Sequence, residues 1–345
     1  MLFSQFLRET LASPPLLGTV LLTLGVIFVN GWTDAPNAIA TCVATRCMPP
    51  RIAVMTAAAC NLLGVLVMTR GQAKVAQTIY EIADFGADRA AASVALCAAM
   101  SAIVLWAVAA WVFGIPTSES HALVAGVSGA AAAQGGFGAI RAAAWSRVLW
   151  GLALSAVLGF ALGFGIVRLV TRVFRGVPRE KTQTLFRSLQ IFGSGAMAFM
   201  HGAQDGQKFI GIFLLGLSLS PLGAPQHVPL WLPVLCAAVM GAGTSVGGGR
   251  IIKSVGMDMV HLERYEGFSA DLAGAACLLL STMTGLPVST THTKTTAVMG
   301  VGAAKRLHGV DWKIARDMAL AWLLTFPGCG AVGYAAAKLF VRLFA

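Results

Sequence analysis

Long apolar stretches recur along the whole chain, and each is close to the length of a membrane-spanning helix. Ala90–Phe113, Val148–Val170 and Met318–Leu339 are examples. At a rise of about 1.5 Å per residue, about 20 residues cross a hydrocarbon core about 30 Å thick. The pattern predicts about ten crossings, at roughly 16–45, 52–69, 90–113, 118–138, 146–170, 188–215, 229–248, 266–284, 289–305 and 314–341. We therefore expect an all-α integral membrane protein with no soluble domain.

The composition is also that of a membrane protein. Hydrophobic residues make up 57% and charged residues 11% of the 345 positions, whereas soluble domains carry about 25% charged residues. The first apolar run, Leu16–Val29, is followed by Asn30–Asp34 rather than by a small-residue cleavage site, so we interpret it as a span and not as a signal peptide. The seven cysteines are scattered without CxxC spacing, and we predict neither a disulfide nor a metal site from them.

One fixed offset of 171 positions relates two pairs of unusual motifs, which indicates an internal duplication. The offset carries Gly114, Pro116, Ser118 and His121 onto Gly285, Pro287, Ser289 and His292, and Gly31 and Asp34 onto Gly202 and Asp205. Five crossings in each half would place the halves in opposite orientations, as in many secondary transporters. We therefore predict two inverted five-helix repeats with broken or re-entrant helices. The first covers 1–170, a basic cytoplasmic linker covers 171–187, and the second repeat covers 188–345.

The distribution of positive charge predicts the orientation. The segment Arg168–Arg187 holds six basic residues against one acid, Glu180, and by the positive-inside rule it is cytoplasmic. Both termini then lie outside; the predicted inner segments hold 15 basic residues and the outer segments hold 8. This asymmetry accounts for the net charge of +11 without a nucleic-acid partner.

The motif GWTDAPNAIAT, residues 31–41, places polar groups inside the first predicted span. Gly31 and Pro36 interrupt the helix, and Asp34, Asn37 and Thr41 follow at helical spacing. Inserting a carboxylate at mid-bilayer costs about 2.5–3.5 kcal/mol of free energy on insertion scales. Asp34 is therefore expected to have either a polar partner or a functional role. A polar helix end held by a neighbouring hydroxyl is the alternative interpretation.

The second copy of this motif is HGAQDGQKFIG, residues 201–211. Asp205 corresponds to Asp34 of the first half, and Lys208 corresponds to Asn37. Lys208 is a candidate buried cation, although a lysine near a helix end can also extend its ammonium to the membrane interface. His201 lies one helical turn before Asp205, and it could either orient that carboxylate or satisfy a backbone carbonyl.

The motifs GIPTSESH and GLPVSTTH each end one helix and begin the next. The first turn of a helix presents free N–H groups and the positive end of the helix dipole, which suits an anion. Hydroxyls that can add neutral donors are those of Ser118, Ser120, Ser289, Thr290 and Thr291. Any one of them alone could be an ordinary N-cap. Glu119 would repel an anion when ionised, so it is protonated, bound to a cation or turned away.

At these motifs the sequence resembles the inorganic phosphate transporter (PiT) family. GWTDAPNAIAT and HGAQDGQKFIG are similar to the two copies of the family's first signature, and GLPVSTTH is close to its Pro-Val-Ser-Thr-Thr-His element. The resemblance implies a usually dimeric, cation-coupled phosphate symporter with an inverted-repeat helical fold. It also implies phosphate and coupling ions near Asp34, Asn37, Ser118, Asp205, Ser289, Thr290 and Thr291. The sequence departs from the family pattern at Thr33, Glu119, Ser120, Gln204 and Lys208. These departures leave the choice of proton or sodium coupling open.

From the motifs and the resemblance together we assign expected roles. Substrate-binding residues are Asn37, Ser118, Ser120, Ser289, Thr290 and Thr291; coupling-cation residues are Asp34, Thr41, Glu119, Asp205 and Lys208; supporting residues are His121, His201 and His292. We expect a homodimer in the plasma membrane, with proton or sodium as coupling ion and with neither a cofactor nor a structural metal. Sulfate or metal–phosphate symport, an anion channel and an intramembrane enzyme are the alternatives. The sequence has no HExxH motif or nucleophile elbow, so we do not expect an enzyme.

Overall fold

The computed structural model describes residues 2–71, 73–113, 117–223, 225, 227–246, 252 and 259–345. Its helices are α1 (Phe3–Ala12), α2 (Pro14–Thr33), α3 (Ala40–Ala44), α4 (Pro50–Gly71), α5 (Lys74–Tyr80), α6 (Arg89–Phe113), α7 (Glu119–Gly135), α8 (Ala142–Val173), α9 (Arg179–Leu219), α10 (Trp231–Val246), α11 (Arg264–Thr284), α12 (Thr290–Lys305) and α13 (Trp312–Phe344). Short 3-10 helices cover Ala35–Ala38, Phe137–Ala139 and Leu307–Gly309. The prediction of an all-α protein is confirmed.

Six helical segments among the described residues are long and apolar enough to cross a membrane. They are Pro14–Ala38, Pro50–Arg70, Arg89–Phe113, Ala142–Val173, Arg264–Thr284 and Trp312–Phe344. Large apolar side chains such as Leu105, Trp150 and Leu323 are exposed on their outer faces, where lipid is a suitable solvent. The chain is therefore a multi-pass membrane protein.

Two of the ten predicted crossings correspond to much shorter helices with polar beginnings. The predicted spans 118–138 and 289–305 become α7, with 17 residues, and α12, with 16 residues. Both helices are almost entirely buried inside the protein. They are therefore surrounded by other helices rather than by lipid.

The first predicted interruption is present. Helix α2 ends at Thr33, a buried 3-10 turn contains Pro36, and α3 begins at Ala40. Proline has no N–H to donate and its ring clashes with the preceding turn, which favours a break in the helix at this point. The corresponding motif of the second half has no proline, and α9 runs through residues 201–211 without a break.

Helices α6 and α7 form a hairpin, and its two ends lie side by side. The N–H of Asp84 donates to Ala139 O at 2.8 Å, and that of Arg141 donates to Ile82 O at 3.2 Å. The carboxylate of Asp84 also accepts a hydrogen bond from Arg141 Nη2 at 2.5 Å. The N–H of Gly86 and the Arg141 guanidinium hold the pKa of Asp84 below its usual value. We call the segments 81–88 and 136–141 the first base. The connection at 114–116, with the predicted helix-ending Gly114 and Pro116, lies outside the described residues.

Helices α11 and α12 form the second hairpin. Gly285 ends α11 in a left-handed conformation with φ 75°, where a residue with a Cβ would be strained. At the far ends of this hairpin Asp311 N donates to Met259 O at 3.1 Å, and Lys305 pairs with Glu266 at 3.0 Å. We call the segments 259–266 and 305–311 the second base.

Two long helices pack against the short ones in parallel. Along α8, Gly151 faces the backbone of Pro287 and Gly163 faces that of Ala297, so α8 follows the second hairpin from its turn into α12. Along α13, Trp322 O lies 3.1 Å from a His121 ring nitrogen, and Gly330 lies against α7 at Gly129. The end of α8 shares a cavity with Glu266 and Lys305 at the second base. The polar beginnings of α7 and α12 are thus enclosed in the middle of the molecule.

The basic segment between the halves is mostly helical. Helix α8 continues to Val173 and α9 begins at Arg179, so only residues 174–178 separate them. The predicted linker 171–187 therefore includes the end of one helix and the beginning of the next. The division into two repeats stays a prediction.

Candidate functional site

The beginnings of α7 and α12 meet at two serines. Ser118 Oγ and Ser289 Oγ, which the sequence related by an offset of 171, are hydrogen bonded at 2.8 Å. Each serine caps its helix by accepting a backbone N–H, from His121 at 3.4 Å and from His292 at 3.2 Å. The first-turn N–H groups of two helices therefore converge on one place, with the positive ends of both dipoles.

Asp34 lies beside this junction and receives hydrogen bonds from neutral groups. Thr291 and Asn37 donate to Oδ1, the amide at 2.7 Å, and Thr290 lies 3.2 Å from Oδ2. Asn37 Nδ2 also lies 3.3 Å from the Thr291 hydroxyl. Because Asp34 is buried, its carboxyl group depends on these dipoles in place of water. The break after Thr33 is what brings Asp34 and Asn37 to the hairpin.

Asp205 is held by a lysine on its own helix. Lys208 Nζ lies 2.6 Å from each of three acceptors: Asp205 Oδ1, Ser120 Oγ and Val288 O. Its side chain is only 2% exposed, so the ammonium is inside the protein and not at a membrane interface. Thr290 lies 3.3 Å from Asp205 Oδ2 and links this pair to Asp34.

The imidazole of His201 lies against the carboxylate of Asp205, although its Nε2 has no hydrogen-bond partner among the described residues. Its Nε2 is 3.4 Å from Asp205 Oδ2, and its Nδ1 is 3.2 Å from Asn61 Oδ1. Asn30 Nδ2 donates to the same carboxylate oxygen at 3.2 Å. Sequence reasoning missed Asn30 and Asn61. Their signal was an amide in an apolar span, which is weak by itself.

Glu119 is turned to the side of the junction, where the Thr33 hydroxyl donates to its Oε1. In the described part of the chain, Oε2 has no hydrogen-bond partner although the residue is buried. Gln204 precedes Asp205 in the sequence, as Thr33 precedes Asp34. Its side chain donates to Leu286 O at 2.9 Å and accepts a hydrogen bond from Thr282 Oγ1 at 3.0 Å. It therefore fixes the turn of the second hairpin.

His121 and His292 lie behind the capping serines and do not contact the two acids. Their rings meet edge to face with centroids 4.4 Å apart. His292 stacks on Trp322 at 3.7 Å, and His121 stacks on Phe326 at 4.4 Å. This arrangement holds both helix beginnings against α13, and the supporting role of the two histidines stays a prediction.

Thr41 belongs to a second polar cluster and does not contact Asp34. Its hydroxyl donates to Asp271 Oδ1 at 2.8 Å, and Lys294 Nζ lies 3.0 Å from the same hydroxyl. Lys294 and Asp271 form an ion pair, and Gln190 Nε2 and Ser194 Oγ each donate to Asp271 Oδ2 at 2.6 Å. Sequence reasoning missed Asp271, Gln190 and Ser194 and gave Lys294 no role.

Three of the buried groups could hold a cation. One ligand atom each from Asp34, His201 and Asp205 lies within 4.8 Å of the others. Two carboxylates with one imidazole give this position a net negative environment, which favours a proton or a small cation. The adjacent helix beginnings and hydroxyls favour an oxyanion. The site can therefore bind an anion and a cation side by side.

Comparison with known proteins gives consistent matches over most of the chain. The sequence matches the family described as "Phosphate transporter family" over residues 30–179 and 174–333. A "Probable low-affinity inorganic phosphate transporter" of Bacillus subtilis (strain 168) is 37% identical over 319 residues, 91% of this chain and 95% of that protein. A protein of the same description from Rhizobium meliloti (strain 1021) is 37% identical over 324 residues, 94% and 96% of the two chains.

One solved structure has the same fold. It is described as "The sodium-dependent phosphate transporter", and it superposes with a TM-score of 0.87 at 22% identity, over 96% of this chain and 100% of that chain. All of these proteins are named as transporters, and the prediction that the chain is not an enzyme is confirmed.

Proposed function

Because the chain belongs to the phosphate transporter family, we propose that it carries inorganic phosphate across the membrane by cation-coupled symport. The observation that carries this proposal is the junction of two helix beginnings at Ser118 and Ser289, 2.8 Å apart and beside Asp34 and Asp205. Helix N-termini and hydroxyls are neutral donors suited to an oxyanion, and the acids suit the accompanying cations.

The substrate residues we propose are Asn37, Ser118, Ser120, Ser289, Thr290 and Thr291. Neutral donors cannot distinguish phosphate from sulfate by charge alone. Hydrogen phosphate carries a proton that it can donate to a carboxylate such as Asp34 or Asp205, whereas sulfate carries none. The two acids therefore favour phosphate over sulfate.

The charges at the site support coupling to cations. Asp205 has Lys208 as a partner, whereas Asp34 receives hydrogen bonds only from neutral groups among the described residues. An incoming divalent anion would be repelled unless protons or metal cations entered with it. We place the mobile cation between Asp34, His201 and Asp205, with Glu119 as a further proton acceptor. Since Lys208 already supplies one fixed positive charge, we propose that protons contribute more than sodium to the coupling.

The packing of the long helices supports an inverted-repeat arrangement of 1–170 and 188–345. Helix α8 starts at the first base, passes the turn of the second hairpin at Pro287, and ends at the second base. The two bases thus lie at opposite ends of α8, while the beginnings of α7 and α12 meet in the middle. We propose that both hairpins are re-entrant, that the second base and residues 171–187 are cytoplasmic, and that both termini are outside. Movement of one hairpin relative to the other would then expose the central site to one side at a time.

Uptake of labelled phosphate into proteoliposomes tests the function. We expect saturable accumulation that an imposed proton gradient drives more strongly than a sodium gradient, and that survives excess sulfate. Protein-free vesicles and vesicles treated with a protonophore are the controls. Full competition by sulfate would favour the sulfate alternative, and flux that follows only the anion gradient would identify a channel.

A further inference from the structure

The cluster around Asp271 and Lys294 lies one helical turn from the central site. Thr291 contacts Asp34, and Lys294 follows it by three residues on α12, on the side toward the second base. Asp271 and Lys294 are both 0% exposed. The structure thus places a second pair of opposite charges one helical turn from the central site, on the side of the second base.

This pair has no counterpart in the other half. The offset of 171 that relates Asp34 to Asp205 relates Asp271 to Met100 and Lys294 to Leu123, and both of these apolar residues are buried. A buried ion pair is on average no more stabilising than well-packed apolar residues of similar volume. Since the fold accommodates apolar residues at the related positions, stability alone does not explain the pair.

The carboxylate of Asp271 has three neutral donors in addition to the charged one. Thr41, Gln190 and Ser194 all donate to it, in addition to Lys294. These neutral donors can keep the carboxylate satisfied when the lysine moves away. The ammonium has three N–H groups, and within the described residues its acceptors are Asp271 and Thr41.

Resting on the proposed function, we propose that Lys294 is a second anion-binding position on the side of the second base. An oxyanion that moves from the central site along α12 meets this ammonium within one turn. The Lys294 ammonium releases the Asp271 carboxylate and binds the anion. It pairs with Asp271 again when the anion has left. On the opposite side Leu123 and Met100 offer no such charge, so the assistance is one-sided.

The test uses the neutral double variant Asp271→Asn, Lys294→Gln. Removing both charges together avoids an unpaired buried acid. Phosphate transport is measured in right-side-out and in inside-out membrane vesicles. With phosphate presented at the second base, we expect KM to rise about tenfold, the size expected for one charged hydrogen bond. With phosphate presented at the opposite side, we expect KM to stay unchanged. Lys313→Gln, at an exposed lysine near the start of α13, is the control and should match the wild type in both orientations.

Three outcomes would overturn the proposal. The double variant could transport like the wild type in both orientations, or it could lose affinity equally from both sides, which would place the pair in the central site. It could also fail to accumulate as folded protein while Lys313→Gln does, which would assign the pair to structure. Failure of the wild type itself to carry phosphate would instead contradict the proposed function.

Discussion

At the scale of single residues, the two repeated acids have different surroundings. Asp205 pairs with Lys208, whereas Asp34 is held by the hydroxyls of Thr290 and Thr291 and the amide of Asn37. The site is therefore asymmetric in charge, although the two capping serines Ser118 and Ser289 contact each other directly. The asymmetry makes separate predictions for the acid and for the lysine.

We expect Asp34→Asn to abolish concentrative phosphate uptake while the protein still reaches the membrane. The amide keeps the size of the side chain but removes the charge that we propose a coupling cation neutralises. Uptake at matched expression is the measurement. Asp88→Asn is the control, because Asp88 caps the start of α6 outside the site and asparagine caps equally well. Normal accumulation by Asp34→Asn would remove this carboxylate from the mechanism.

We expect Lys208→Asn to weaken the dependence on the proton gradient or to introduce dependence on sodium. The substitution removes the fixed cation beside Asp205 and leaves room for a mobile one. Uptake into proteoliposomes under imposed pH or sodium gradients compares the variant with the wild type. Strict sodium dependence of the wild type that the substitution does not alter would leave Lys208 with a structural role only.

The residues that the sequence revealed most directly were those that occur twice. Asp34 and Asp205, and Ser118 and Ser289, were found because one offset relates them. Asp271 and Lys294 have no such counterparts in the other half, and only the packing of α11 against α12 brings them together. A lone acid in an apolar span indicates a buried polar contact, but periodicity does not tell which other helix supplies the partner.

At the scale of helices, the site depends on close backbone contact between long and short elements. A Cβ at Gly163 of α8 would clash with the carbonyl oxygen of Ala297 on α12, and Gly300 is equally close to the backbone of Phe160. Glycine thus lets α8 approach α12 closely enough to enclose its polar residues. The break at Pro36 could be predicted from sequence. The meeting of the beginnings of α7 and α12 could not, because hydropathy gives the length of an apolar run and not its depth in the membrane.

We expect Gly163→Ala to destabilise the protein by about 1–3 kcal/mol, the usual cost of overpacking. Gly165 lies on the same helix with open space around it, so Gly165→Ala should be neutral or stabilising by up to about 1 kcal/mol through helix propensity. Thermal unfolding of the detergent-solubilised variants measures the difference. Equal midpoints for the two variants would mean that α8 and α12 separate without cost.

At the scale of the whole molecule, the positive charges and the two bases predict one orientation. The exposed Gly176 lies between α8 and α9, and the exposed Gly138 lies in the first base. In a background without the native cysteines, we expect Gly176→Cys to react with an impermeant thiol reagent only from the cytoplasmic side. Gly138→Cys, its matched control, should react only from outside. Labelling of Gly176→Cys in intact cells would overturn the orientation.

The enclosure of α7 also constrains the order in which the chain can be assembled during synthesis. Its partner α13 follows every other described helix, and the two pack with Gly330 directly against Gly129. Until the ribosome has released α13, the His121 ring lacks the Trp322 and Phe326 surface that covers it, and lipid is a costly environment for this side chain. The early helices can insert as they emerge, but they cannot close around their own site. Nascent chains that stop before Trp312 should therefore stay accessible to membrane chaperones and proteases.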